Sequence, residues 1–130
     1  TPIGAYQSSA AISLAAKPVQ RAQSVFCGSN KLPPALMRCM ARAAGVHIYE
    51  DGFDPVDANE NFLAVHATTG GDKTFHLKRP VDVVDVFEGK VLFRQTQAFT
   101  VPIQAETTRL FYIGDAAVSA AADWVREAGD

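Results

Sequence analysis

Three histidines, His47, His66 and His76, carry the side chain most readily put to chemical use, because imidazole titrates near neutrality and is the commonest metal ligand. Alternating apolar and polar neighbours place each of them on a strand. No two stand four apart, as a helical zinc motif requires, and no cysteine adjoins them. His66 and His76 fall in one expected hairpin, where they could be cross-strand neighbours. With a nearby carboxylate they would form the acid–base pair of a small enzyme. The preferred reading is that all three are hydrogen-bonded histidines within or beside a β-sandwich.

An acidic loop offers a second chemistry. Asp51, Asp54, Asp57 and Asn59 set four oxygen ligands within nine residues, and calcium takes several oxygens from a bent loop. The spacing is not that of an EF-hand, and Asp and Asn also populate turns through their own backbone hydrogen bonds. The four are therefore the weaker reading as a calcium site, and the only metal candidates. Ser24, Ser29 and Ser119 lack the GxSxG elbow of a serine hydrolase. Glu50, Glu60, Glu88 and Glu106 fall at strand ends and turns, where a solvated carboxylate is the default rather than a glycosidase pair. Phe53, Phe87, Phe99 and Tyr112 could stack on sugars, yet their scattered positions suit a core. Cys27 and Cys39 form no CxxC pair and are expected as reduced thiols, although spacing alone does not exclude a disulfide. No catalytic residue and no cofactor is assigned.

The elements that would hold these residues are mostly strands. Residues 12–15 and 24–27 read as two strands interrupted by Lys17-Pro18 and a polar segment. Pro33-Pro34 suits the first turn of a helix, in which Leu36, Met37, Met40, Ala41 and Ala44 recur at helical spacing. Arg38 and Arg42 lie on its opposite face, and Gly45 stands where a left-handed cap belongs. From Val46 the period changes to two. Residues 46–49 read as a short strand, and 62–67 and 74–77 as strands joined by the Gly-rich turn Thr69-Gly70-Gly71-Asp72. Residues 81–87 and 90–94 flank Glu88-Gly89, a two-residue turn with glycine second. Phe99, Val101 and Ile103 alternate, and 108–113 give the last strand. A second helix follows, with Asp115 as cap, Val118, Ala121, Ala122 and Val125 as its stripe, Trp124 beside it and Gly129 at its end.

The fold class is therefore mostly β, an antiparallel β-sandwich with one helix in the N-terminal third and one at the C-terminus. It divides into a strand–strand–helix segment over 1–45, a small sandwich over 46–115 and a helix over 116–130. A formal charge of −2 supplies no basic footprint for nucleic acid and no polybasic patch for a membrane. No apolar run reaches the roughly 18–20 residues of a membrane helix. The start, Thr1-Pro2-Ile3-Gly4, has neither Met nor a signal-peptide pattern, which suggests a processed product or an excised domain. A soluble protein is expected, with the cytoplasm the favoured compartment.

One resemblance runs along the chain. It is carried by Leu32-Pro33-Pro34-Ala35-Leu36-Met37-Arg38, Ala43-Ala44-Gly45-Val46-His47-Ile48-Tyr49 and Asp54-Pro55-Val56-Asp57-Ala58-Asn59. It continues in Phe62-Leu63-Ala64-Val65-His66-Ala67, Gly71-Asp72-Lys73-Thr74, Val83-Val84-Asp85-Val86-Phe87-Glu88-Gly89-Lys90 and Thr107-Thr108-Arg109-Leu110-Phe111. In order and spacing these resemble the C-terminal region of bacterial glycoside hydrolases related to family 42 β-galactosidases. There, a catalytic barrel precedes an amidotransferase-like trimerisation domain and a small β domain. The resemblance implies that the first 45 residues are similar to the end of the amidotransferase-like domain. The family's catalytic glutamates lie on a barrel of about 250 residues, which this chain does not hold. The implied role is a non-catalytic accessory domain of a β-galactosidase-like hydrolase, supporting domain packing or oligomer assembly. Its partners would be the rest of that hydrolase, a partner subunit or a second copy of itself. A stand-alone carbohydrate-binding module is the alternative, and a small enzyme using His66 and His76 the third.

Overall fold

Strand-forming runs dominate the chain, and every strand pairing they make is antiparallel. The computed structural model describes residues 1–120. Among these residues the protein is mostly β, with few helices and two antiparallel sheets. It divides into two units, Thr1–Ala44 and Gly45–Asp130. The expected stripe residues Ala121, Ala122 and Val125, with Trp124 and Gly129, lie outside the described residues.

The first unit holds three strands in the order β1 (Pro2–Ala5), β2 (Ile12–Val19) and β3 (Ala22–Cys27), followed by helix α1 (Pro34–Ala43). Strand β1 is not anticipated by the sequence reading. The break expected at Lys17-Pro18 does not occur, since β2 and β3 pair from Leu14↔Cys27 to Val19↔Ala22 around a two-residue turn. Proline is tolerated there because β1 reaches only as far as Ala15, so the donor Pro18 lacks would find no strand on that side. Helix α1 begins at Pro34, whose missing N–H costs nothing in a first turn. It ends before Gly45, which adopts the left-handed φ of 75° that glycine takes without a steric penalty.

The second unit is a five-stranded sheet in the order β4-β5-β8-β6-β7. Its strands are β4 (Val56–Ala58), β5 (Phe62–Ala67), β6 (Gly71–Asp85), β7 (Lys90–Ile103) and β8 (Thr107–Gly114), and α2 (Ala116–Ala120) follows. Residues 74–77 and 81–87, expected as separate strands, belong to one long β6. At its middle the ladder with β7 jumps from His76↔Ala98 to Val81↔Thr96, so five steps on β6 oppose two on β7. That mismatch bends the hairpin. Its tip half pairs with β8 through Asp82↔Gly114 to Asp85↔Phe111, while the other half carries Phe75 and Phe99 across the core. Rings of Phe75 and Phe99 then meet Phe111 at 5.9 and 5.4 Å. One bent hairpin thus contributes to both layers of a sandwich.

Alternation sorts the faces. Leu63, Val65 and Ala67 on β5 and Phe99, Val101 and Ile103 on β7 point into the core, while His66 and Thr100 point out. In the tip half of β6, residues 81–85 are all buried, because a second cluster of Val84, Tyr112 and Ala116 covers the other face. The β6–β7 turn spans four residues, 86–89, instead of two, and only Gly89 takes a positive φ. Residues 46–49 form no strand; Glu50 makes one isolated bridge to Phe75. Asp115 caps α2 as its position suggests, accepting the Ala117 N–H at 2.9 Å.

Candidate functional site

Two buried aspartates on β6 organise the charge in the second unit. Asp82 accepts the Gln95 backbone N–H at 2.9 Å, the Gln95 side-chain amide, an Arg94 N–H and the Ala116 N–H that opens α2. The Gln95 backbone bond, opposed by burial and helped by the Ala116 N–H, holds the Asp82 carboxyl below the usual carboxylate range. Gln95 has a positive φ of 46° at a bulge, so this carboxylate pins the irregularity that bends β7. Asp85 is fully buried. It accepts the Glu88 N–H of the hairpin turn and a two-pronged ion pair from Arg109, whose Nε lies 2.9 Å away. Both carboxylates are consumed by structure.

The acidic loop is tied down in the same way. Asp54 Oδ1 accepts the Thr68 N–H and hydroxyl at 2.9 and 2.6 Å, and Oδ2 meets Lys73 Nζ at 2.6 Å. Burial pushes this carboxyl up, but hydrogen bonds from Lys73 and Thr68 and the Lys73 charge outweigh it, bringing the pKa to about 2 from 3.8. Asn59 Oδ1 caps its own turn by accepting the N–H groups of Asn61 and Phe62. Asp51 faces His76 Nε2 at 3.5 Å instead. Asp51, Asp54, Asp57 and Asn59 are thus not assembled as one ligand set, and among the described residues no three His, Cys, Asp or Glu side chains converge.

The histidines are dispersed. Strands β5 and β6 are not neighbours, so His66 and His76 are not cross-strand partners as the expected hairpin would make them. His66 Nδ1 lies 2.9 Å from Thr108 Oγ1 on β8, its registered partner. His47 Nε2 meets the His76 carbonyl at 2.8 Å and packs edge-on to Tyr49. Of the aromatic candidates, Phe99 and Tyr112 are buried, but Phe53 and Phe87 are exposed on separate loops, which corrects their assignment to the core. Cys27 and Cys39 are both free thiols.

What remains unaccounted for is apolar surface on the first unit. Among its residues only Ala16 is buried, while Ile3, Ile12 and Phe26 are 59, 52 and 62% exposed. Register puts Leu14, Ala16 and Val25 on one face of the sheet, and α1 offers Leu36 and Met40 opposite them. The two do not close: a cleft of about 840 Å³ lies between them. The sequence marks the helix stripe, and the accessory reading expects exposed apolar surface on the N-terminal segment without naming Ile3, Ile12 or Phe26. The signal available was the scarcity of large apolar residues for a core in the first 30 positions.

No family model, no curated protein and no solved structure matches this chain.

Proposed function

We propose that the chain is a non-catalytic accessory domain whose first unit packs against another folded domain. The observation carrying this reading is the apolar surface of that unit: an open cleft lined by Ile3, Leu14 and Val25, together with exposed Ile12 and Phe26. Exposed apolar groups concentrated on one small unit are typical of surfaces that another polypeptide covers. The fate of the charged residues agrees with it. Asp54, Asp82 and Asp85, the buried or bonded carboxylates, each serve a turn, a bulge or an ion pair. The family resemblance supplies the class of partner, a β-galactosidase-like glycoside hydrolase, and the support for that class is the resemblance alone.

The test is association. The wild-type chain should bind an apolar dye and self-associate with rising concentration in sedimentation, because its cleft lacks its partner. Ile12→Ser with Phe26→Ser should lower both signals. A chain that stays monomeric and dye-silent at every concentration would count against the reading. The hydrolase assignment fails separately if the gene encoding this chain carries no hydrolase domain and none is encoded beside it.

A further inference from the structure

The bend that builds the sandwich also opens a groove. Residues 77–80 of β6 have no registered partner on β7, and the preceding segment meets β6 through an isolated bridge at Glu50 and backbone and side-chain bonds to His76. A hollow of about 580 Å³ results, within the roughly 300–1,000 Å³ range of small-molecule pockets. Its floor is the core itself, reached at Leu77, Val81 and Ile113. Tyr49 forms a wall and is held on two sides. Its carbonyl accepts the His76 N–H at 2.8 Å, and His47, anchored on the His76 carbonyl, packs edge-on against its ring.

The charges around this floor are unbalanced. Lys78 and Arg79 line the groove, and neither has a carboxylate partner among the described residues. Lys78 Nζ stands 5.9 Å from the Tyr49 ring centre, a cation–π contact that leaves its donors open to an anion. Glu60 is the acid in the lining, so two fixed cations face one anion. These three charges leave the groove complementary to a single negative charge. An apolar floor below a net positive rim suits a ligand with an apolar body and one anionic end.

We propose that this groove binds a small amphipathic carboxylate, its body on Leu77, Val81 and Ile113 and its carboxylate between Lys78 and Arg79. Repulsion from Glu60 sets the orientation, turning the carboxylate toward the two cations. Bidentate pairing to the Arg79 guanidinium supplies directionality that an ammonium alone lacks. The site shares no lining residue with the cleft of the first unit and does not depend on the accessory role.

Titration of the intact chain with octanoate, followed by amide and side-chain chemical shifts, tests it. The result expected is saturable shifts at Tyr49, Leu77 and Val81, weakening with salt, and much smaller shifts with octanol. Lys78→Gln with Arg79→Gln changes two exposed side chains, so its spectrum away from the groove should overlay that of the wild type. Its affinity for octanoate should fall about tenfold, the loss expected for removing a charged hydrogen-bonding partner. Lys78→Glu with Arg79→Glu should abolish binding. The proposal is overturned if octanoate gives no saturable shift, if octanol binds equally well, if the shifts map elsewhere, or if the charge changes leave affinity unaltered.

Discussion

The two units of this chain use the same antiparallel pairing and end with opposite economies of surface. In the second, a single hairpin bends so that both its halves face a common core, and Leu63, Val65, Phe75, Val83, Phe99 and Phe111 are almost completely buried. In the first, three strands and one helix bury a single alanine. The difference lies in layer closure rather than in strand propensity. A sheet is stable in isolation when something covers its apolar face. The bend in β6 supplies that cover within the second unit, whereas α1 leaves a cleft in front of β2. The packed unit therefore holds the buried core, and the open one leaves its apolar surface exposed.

Substitutions should separate the units sharply. The largest effect is expected for Phe111→Ala, which empties the centre of the three-ring cluster with Phe75 and Phe99. A loss of about 3–5 kcal/mol in urea unfolding would follow from lost burial plus cavity. Asp85→Ala should cost about 3 kcal/mol, because it strands the Arg109 guanidinium and frees the Glu88 turn. If Asp85→Ala unfolds at the wild-type urea midpoint, the buried pair contributes nothing and the assignment fails.

A smaller effect appears through pH. The Asp54 pKa is depressed to about 2 from 3.8, so its ionised form favours the folded state. The stability it adds is fully present above 3.8 and is lost as pH falls through about 2. Asp54→Asn should thus be less stable at neutral pH and show a shallower decline in melting temperature over that acid range. Equal acid slopes in the two proteins would contradict the Lys73 and Thr68 contacts. The smallest effect belongs to the first unit. Ile12→Ser with Phe26→Ser should change unfolding stability by no more than about 0.5 kcal/mol per site, since exposed side chains contribute little to burial. A large loss there would erase the contrast between the units.

Much of the local architecture was readable from residue types. Pro34 and Gly45 bracket α1 because each favours one backbone state, and Asp115 caps α2 for the same local reason. Phe99, Val101 and Ile103 announce their shared face through strict alternation. The 81–94 hairpin was legible from its glycine, although its turn proved two residues longer because Asp85 captures the Glu88 N–H. Asp85 itself carries a signal in the sequence. An acid inside the apolar run Val81-Asp82-Val83-Val84-Asp85-Val86 needs a cation, and Arg109 on the last strand provides one.

The sequence by itself determined the mostly β class, the start and stop of α1, the start of α2 and the alternation of faces. These depend on backbone preference and side-chain period within a few residues. Only the tertiary structure decided that β5 and β6 are not partners, that His66 and His76 stand apart, and that Asp54 belongs to Lys73 rather than to a metal ligand set. It also decided that the bend at 77–80 opens a groove onto the core. Each of these follows from which strands lie side by side, and strand order is set by burial summed over the whole unit, which no local pattern encodes.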